Sequence, residues 1–333
     1  MFRLIKVNSE INYLLMFIIM LSLWTYKFLY MPSGIEEISY SSYIFFDFFE
    51  KTTTLKYISS ILAFIIYWGF GFFLVQKNTK LIIVESSYQI VGIFFVMFSG
   101  IWINSQKFIP EILAVIFLYF SVFKIFSSFK KENCPHLLFD IGFLYGISLI
   151  INLQFIYFLP FLIISIFIIK KTIIKEIIAL IIGILTPILL YFSIIFLFFN
   201  YSEILSELVK SISNIFVNIN FVNKFQTKYL LLFCPFFLLF LIMLVFNFTI
   251  KNKSIFSKKS QNILILFMVA SIIFFCLPNT ANESIITTFP PLSIVTAKIF
   301  VNINNKFKII LFYSILGVII FLQILQIKIL FNY

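Results

Sequence analysis

Charge is what this chain has least of. Asp, Glu, Lys and Arg make up 11% of its 333 residues, against about 25% in a soluble protein. Hydrophobic residues make up 62%, so apolar side chains must cover the outside of the fold as well as its core. Lipid permits that and water does not. Histidine is nearly absent too, with His136 alone, and the three cysteines Cys134, Cys234 and Cys276 lie far apart without a C-x-x-C. No zinc, haem or thiol-redox motif can be assembled from that inventory. There is no repeat of fixed period, no low-complexity tail and no stretch that reads as a soluble domain.

Arginine occurs once, as Arg3, while Ile, Phe, Asn and Lys abound. Those four residues have A/T-rich codons, which points to a low-GC bacterial genome. The formal charge of +12 does not mark a nucleic-acid binder. The lysines sit in short clusters between apolar runs and form no basic stripe interleaved with aromatics. The 49 Phe and 16 Tyr lie inside the apolar runs themselves. Lipid is the partner this composition demands; nucleic acid is not.

A membrane span needs about 20 apolar residues at a rise of about 1.5 Å each. Runs of that kind occur at 11–30, 58–75, 84–103, 110–127, 137–153, 155–169, 177–199, 229–250, 263–278, 285–303 and 309–328. The first follows Arg3 and Lys6 but is too long for a signal core and lacks a small-x-small cleavage site, so it reads as a retained span. The fifth and sixth, parted by Asn152 and Gln154, form a tight hairpin or one broken helix. The tenth carries Pro290-Pro291. The expected fold is an all-α polytopic bundle of about ten or eleven spans, in one integral membrane domain over 1–333.

Lysine should favour the cytoplasmic side of every second loop. With the N-terminus inside, 17 of the 25 basic residues fall inside and 8 of the 13 acids fall outside. The expectation is a bacterial inner-membrane protein with a cytoplasmic N-terminus. Two outer loops exceed the length a turn needs. In 31–57, Phe45, Phe48 and Phe49 recur at helical spacing opposite Asp47, Glu50 and Lys51. In 200–220, an apolar stripe from Ile204 to Ile219 opposes Ser206, Glu207, Lys210 and Ser213, with Asn200 as N-cap. Both segments are expected to be amphipathic helices lying in the outer interface.

Ionisable groups at mid-membrane mark pumps and ion-coupled carriers. Here Glu85, Lys124, Asp140, Glu176 and Lys298 all fall near the cytoplasmic ends of spans, where local pairing and snorkelling account for them. Gly142 and Gly146 form G-x-x-x-G, a spacing that lets another helix approach closely, and Gly183 with Pro187 reads as a packing or kink position. The sharper constellation is outside. Glu36 and Glu37 directly follow the first span, and carboxylates at a membrane exit can bind a divalent cation or act as a general base. Lys210 and Glu283 share that side and are the expected substrate-binding partners. Neither the cofactor nor the metal can be read from the sequence.

These features resemble two families. An N-in first span, an acidic first outer loop with interfacial helices and short cytoplasmic turns resemble the membrane half of GT-C glycosyltransferases. That resemblance implies glycosyl transfer from a polyprenyl-phosphate carrier, with Glu36-Glu37 standing where the family's acidic pair stands. Both residues are Glu rather than Asp-centred, and no outer Arg or His is available for the lipid phosphate, so Lys107, Lys210 or Lys224 would have to bind it. Ile109-Pro110-Glu111, "LLFDIGFLYGISLI", "KEIIALIIGILTPILLYF" and "TTFPPLSIVTAKIF" together resemble an uncharacterised Bacteroidetes-type family of polytopic inner-membrane proteins. That resemblance implies a topology and a compartment but no reaction, and a transporter or a membrane scaffold subunit stands as the alternative to the transferase.

Overall fold

The computed structural model describes residues 10–29, 53–84, 89–170, 172–198, 254–277, 280 and 282–331, with isolated helical positions at 241 and 245. All regular structure among them is helical. In chain order the helices are α1 (Glu10–Leu29), α2 (Thr53–Leu81), α3 (Ile90–Ser99), α4 (Pro110–Ser127), α5 (Pro135–Ile151), α6 (Leu159–Ile169), α7 (Ile174–Phe198), α8 (Ile255–Cys276), α9 (Phe289–Asn302) and α10 (Asn305–Phe331). Short 3-10 turns run over Ile103–Ser105, Leu153–Phe158 and Asn282–Thr288.

Six segments are long and apolar enough to cross a membrane, and four shorter apolar helices accompany them. Each expected span among the described residues overlaps one of these. The span expected at 229–250, apart from positions 241 and 245, and the interfacial segment at 200–220 lie outside the described residues, as do 31–52 of the first interfacial segment. Residues 53–57 are the first turn of α2.

The chain divides into two compact units, one made of 1–109, 222–257 and 288–333, the other of 110–221 and 258–287. In the second unit α5 packs along α7 and α4 rather than along α6. The chain between α5 and α6 therefore breaks at Asn152, whose backbone is extended and whose Oδ1 accepts the Gln154 amide at 3.0 Å. Glycine decides the α5–α7 approach. A Cβ on Gly142 would run into the Leu180 carbonyl oxygen, and one on Gly183 into that of Phe139. One turn on, a Cβ on Gly146 would meet Pro187 and the Ile184 carbonyl.

In the first unit α3 is buried at every residue and packs against α9, α2 and α1. It has only 10 residues, about 15 Å of helix, half of what the bilayer core needs. The sequence-expected span 84–103 is thus a half-length helix followed by irregular chain. α3 ends at Gly100, and Trp102 is extended (φ −109, ψ 107). Irregular backbone inside a membrane protein must find its hydrogen bonds within the protein. Gln326 of α10 accepts the Ile103 amide at 2.8 Å and donates to the Ile101 carbonyl at 2.6 Å. Gln323, one turn earlier, donates to the carbonyls of Gly100 and Leu23, and Ser59 Oγ accepts the Phe108 amide at 2.9 Å. The prolines of α9 cause no kink. Pro290 and Pro291 occupy its first turn, where no amide hydrogen is required.

Candidate functional site

Glu36, Glu37 and Lys210 lie outside the described residues. Glu283 is described, and it is 0% exposed. It stands in the 3-10 turn Asn282–Thr288 at the start of a candidate span, with Ser284, Ile285, Ile286, Thr287 and Thr288 buried beside it. This turn is anchored through the Thr287 carbonyl. Tyr119 of α4 donates to it at 3.0 Å and Ser271 of α8 at 3.1 Å. Thr287 Oγ1 in turn donates to the Ser284 carbonyl at 2.8 Å.

A second buried carboxylate belongs to the same unit. Glu111, in the first turn of α4, is 4% exposed and accepts from Asn152 Nδ2 at 3.5 Å. It lies two turns before Tyr119 on α4, as Glu283 lies one turn before Thr287. The Tyr119–Thr287 hydrogen bond therefore ties together two segments that each carry a buried acid. In the sequence Glu111 reads only as one of the 8 acids on the outer side. The signal for its burial was Asn152, a polar residue breaking an apolar run.

The opposite charge cluster joins the ends of α5, α6 and α7. Lys170 Nζ lies 2.6 Å from Glu176 Oε1 and 3.1 Å from Cys134 Sγ, with the two charged side chains 7% and 2% exposed. Glu176 also accepts the amides of Cys134 at 3.0 Å and Ile173 at 3.3 Å. Burial pulls the Lys170 pKa down, but the Glu176 carboxylate and the Cys134 sulfur outweigh it and hold the ammonium above the ordinary lysine value. Lys259 adds a tie from α8 to the Ile169 carbonyl at 2.8 Å. The local pairing expected for the span-end charges is present in the half-exposed Lys124–Asp140 bridge of 2.9 Å. Buried Lys298 bonds Ser257 Oγ at 3.0 Å, and Glu85 lies outside the described residues. The Lys170–Glu176–Cys134 contacts join the ends of three helices.

Among the described residues no group of three His, Cys, Asp or Glu side chains could hold a metal ion. A family model described as a family of unknown function, DUF6427, matches residues 38–331. The chain belongs to that family. The match includes residues of both units, and the family's description assigns it no function. No curated protein and no solved structure matches the chain.

Proposed function

We propose that this member of the family works at the outer face of a bacterial inner membrane, as a GT-C-like glycosyl transferase using a polyprenyl-phosphate-linked donor. Glu36 or Glu37 serves as general base or metal ligand, and Lys210 and Glu283 bind the substrate. The observation that carries this reading is the complete burial of Glu283 in an apolar bundle. Taking a carboxylate out of water costs several kcal/mol, and a buried ionisable group in a membrane protein is a default pointer to a functional site. Its turn is held by two hydroxyls from different helices, Tyr119 and Ser271. Such fixed geometry is what a substrate-orienting carboxylate requires. Glu111 with Asn152 supports a second reading, ion-coupled transport, because a second buried carboxylate in one unit suits a coupling ion.

Native mass spectrometry of the full chain in nanodiscs separates the readings. The transferase retains polyprenyl phosphate in preference to phosphatidylglycerol, and the double variant Glu36→Gln/Glu37→Gln keeps its protein level while releasing polyprenyl phosphate from glycosylated donor about 10²-fold more slowly. Equal retention of the two lipids, or unchanged release by the double variant, removes the transferase and leaves transport.

A further inference from the structure

The irregular chain after α3 brings together two buried polar atoms that no described residue satisfies. Trp24 of α1 and Gln106 are each 0% exposed. Trp24 Nε1 and Gln106 Oε1 form no hydrogen bond with any described residue. Buried polar atoms left this way cost about 1–3 kcal/mol each and call for a partner.

A closed circuit of contacts puts the two in one place. The Trp24 ring stands edge-on to Tyr67 of α2, with centroids 5.8 Å apart. The Tyr67 hydroxyl reaches the Ser105 carbonyl at 3.5 Å, and Ser105 precedes Gln106. The Gln106 amide nitrogen faces the Leu23 carbonyl at 3.5 Å, and Leu23 precedes Trp24. That contact also fixes the amide's orientation, since a flip would set oxygen against oxygen. Phe64 and Phe28 complete the aromatic surround, at 5.5 and 6.2 Å from the Trp24 ring.

An indole N–H donates only, and a carbonyl oxygen accepts only. A single group that satisfies both must accept one hydrogen bond and donate one, which is the chemistry of a hydroxyl. A bare phosphate has acceptors alone and would repel Gln106 Oε1. Lys27 is buried one turn beyond Trp24 on the same face of α1, so positive charge lies near the pair. We infer that Trp24 and Gln106 form the subsite for a sugar carried on a lipid phosphate. This inference rests on the outer-face transferase reading and names the part of the donor that its first unit recognises.

The test uses the full chain in nanodiscs holding equal amounts of bare polyprenyl phosphate and its gluco-, galacto-, manno- or arabino-configured phosphosugar, one pair at a time. Native mass spectrometry should show at least one phosphosugar retained about tenfold over the bare lipid, the worth of one or two hydrogen bonds. In Gln106→Met, which keeps the volume and removes the acceptor, that ratio should fall to about one while bare lipid is held as before. Should the methionine variant fail to fold, Trp24 emission in the Trp68→Phe/Trp102→Phe background should shift with the phosphosugar and not with the bare lipid. Equal retention of all lipids bearing a polyprenyl phosphate, or an unchanged ratio in Gln106→Met, overturns the subsite, leaves the pair to a buried water and lets the transferase reading stand. Retention of neither lipid overturns both.

Discussion

Gly142 of α5 lies directly against Gly183 of α7, so close that a methyl group on either would run into the other helix's backbone. In lipid the hydrophobic effect does not drive helices together, so close backbone approach and dispersion must do so. Gly142→Ala or Gly183→Ala should therefore destabilise the second unit by about 1–3 kcal/mol, the usual cost of overpacking. Gly317→Ala, with nothing within 4 Å of its added Cβ, should be neutral or slightly stabilising. Thermal unfolding in detergent measures the difference, and equal effects at Gly142 and Gly317 would refute the close approach.

Lys170 and Glu176 are nearly buried together. Removing one charge strands the other, at about 3–5 kcal/mol, whereas replacing both with apolar residues costs far less. Lys170→Met should lower the midpoint of unfolding sharply, and Lys170→Met/Glu176→Leu should recover part of it, since the leucine also leaves the Cys134 and Ile173 amides without their acceptor. The pH dependence has a definite sign. The folded-state pKa of Lys170 is raised above the ordinary 10.5, so its contribution is complete below 10.5 and is lost as pH rises through the raised value. Stability from this pair should be level from neutral pH to mildly alkaline pH and fall only beyond the lysine range. A decline between pH 7 and 9 that Lys170→Met abolishes would contradict this.

Gln326 satisfies two backbone groups of the irregular chain with one amide. Gln326→Leu leaves a buried N–H and a buried carbonyl without that partner, at about 1–3 kcal/mol for each. Hydrogen exchange at Ile103 should accelerate more than at positions within α3. Uniform exchange along Ile90–Ile103 would argue against this bracing.

Ile82 closes the C-terminal end of α2 with φ of 50° and is 54% exposed. A β-branched residue in the left-handed region is strained by about 1–2 kcal/mol, and glycine removes the strain. Ile82→Gly should stabilise by about 1 kcal/mol, and Ile82→Ala by less. Destabilisation by the glycine variant would show that the Ile82 side chain packs against something it needs.

The helices were legible because a bilayer leaves long apolar runs few alternatives, and each described run is a helix. The break at Gly100–Ile109 was not legible. Ile101, Trp102 and Ile103 keep the run apolar while the backbone leaves the helix, and the groups that satisfy it, Gln323 and Gln326, lie more than 200 positions away. The Pro290-Pro291 pair marked a helix start rather than an interruption. At the site, charge alternation assigned Glu283 to a side but carries no information about depth, so its full burial had to come from packing. Trp24 and Gln106 leave no mark in the sequence pattern because neither ionises and 82 positions separate them. Their relationship exists only where α1 meets the chain after α3.

Every functional assignment here requires Glu36, Glu37 and Glu283 on the outer side of the membrane. Cysteine labelling tests that directly, in a background with Cys134, Cys234 and Cys276 replaced by alanine. Exposed Glu132, in the basic turn before α5, is the inner reporter, and Ser42, in the acidic first loop, is the outer one. An impermeant maleimide applied to intact cells should label Ser42→Cys at once and Glu132→Cys only after lysis. Labelling of Glu132→Cys in intact cells would contradict the orientation, and with it the outer-face transferase.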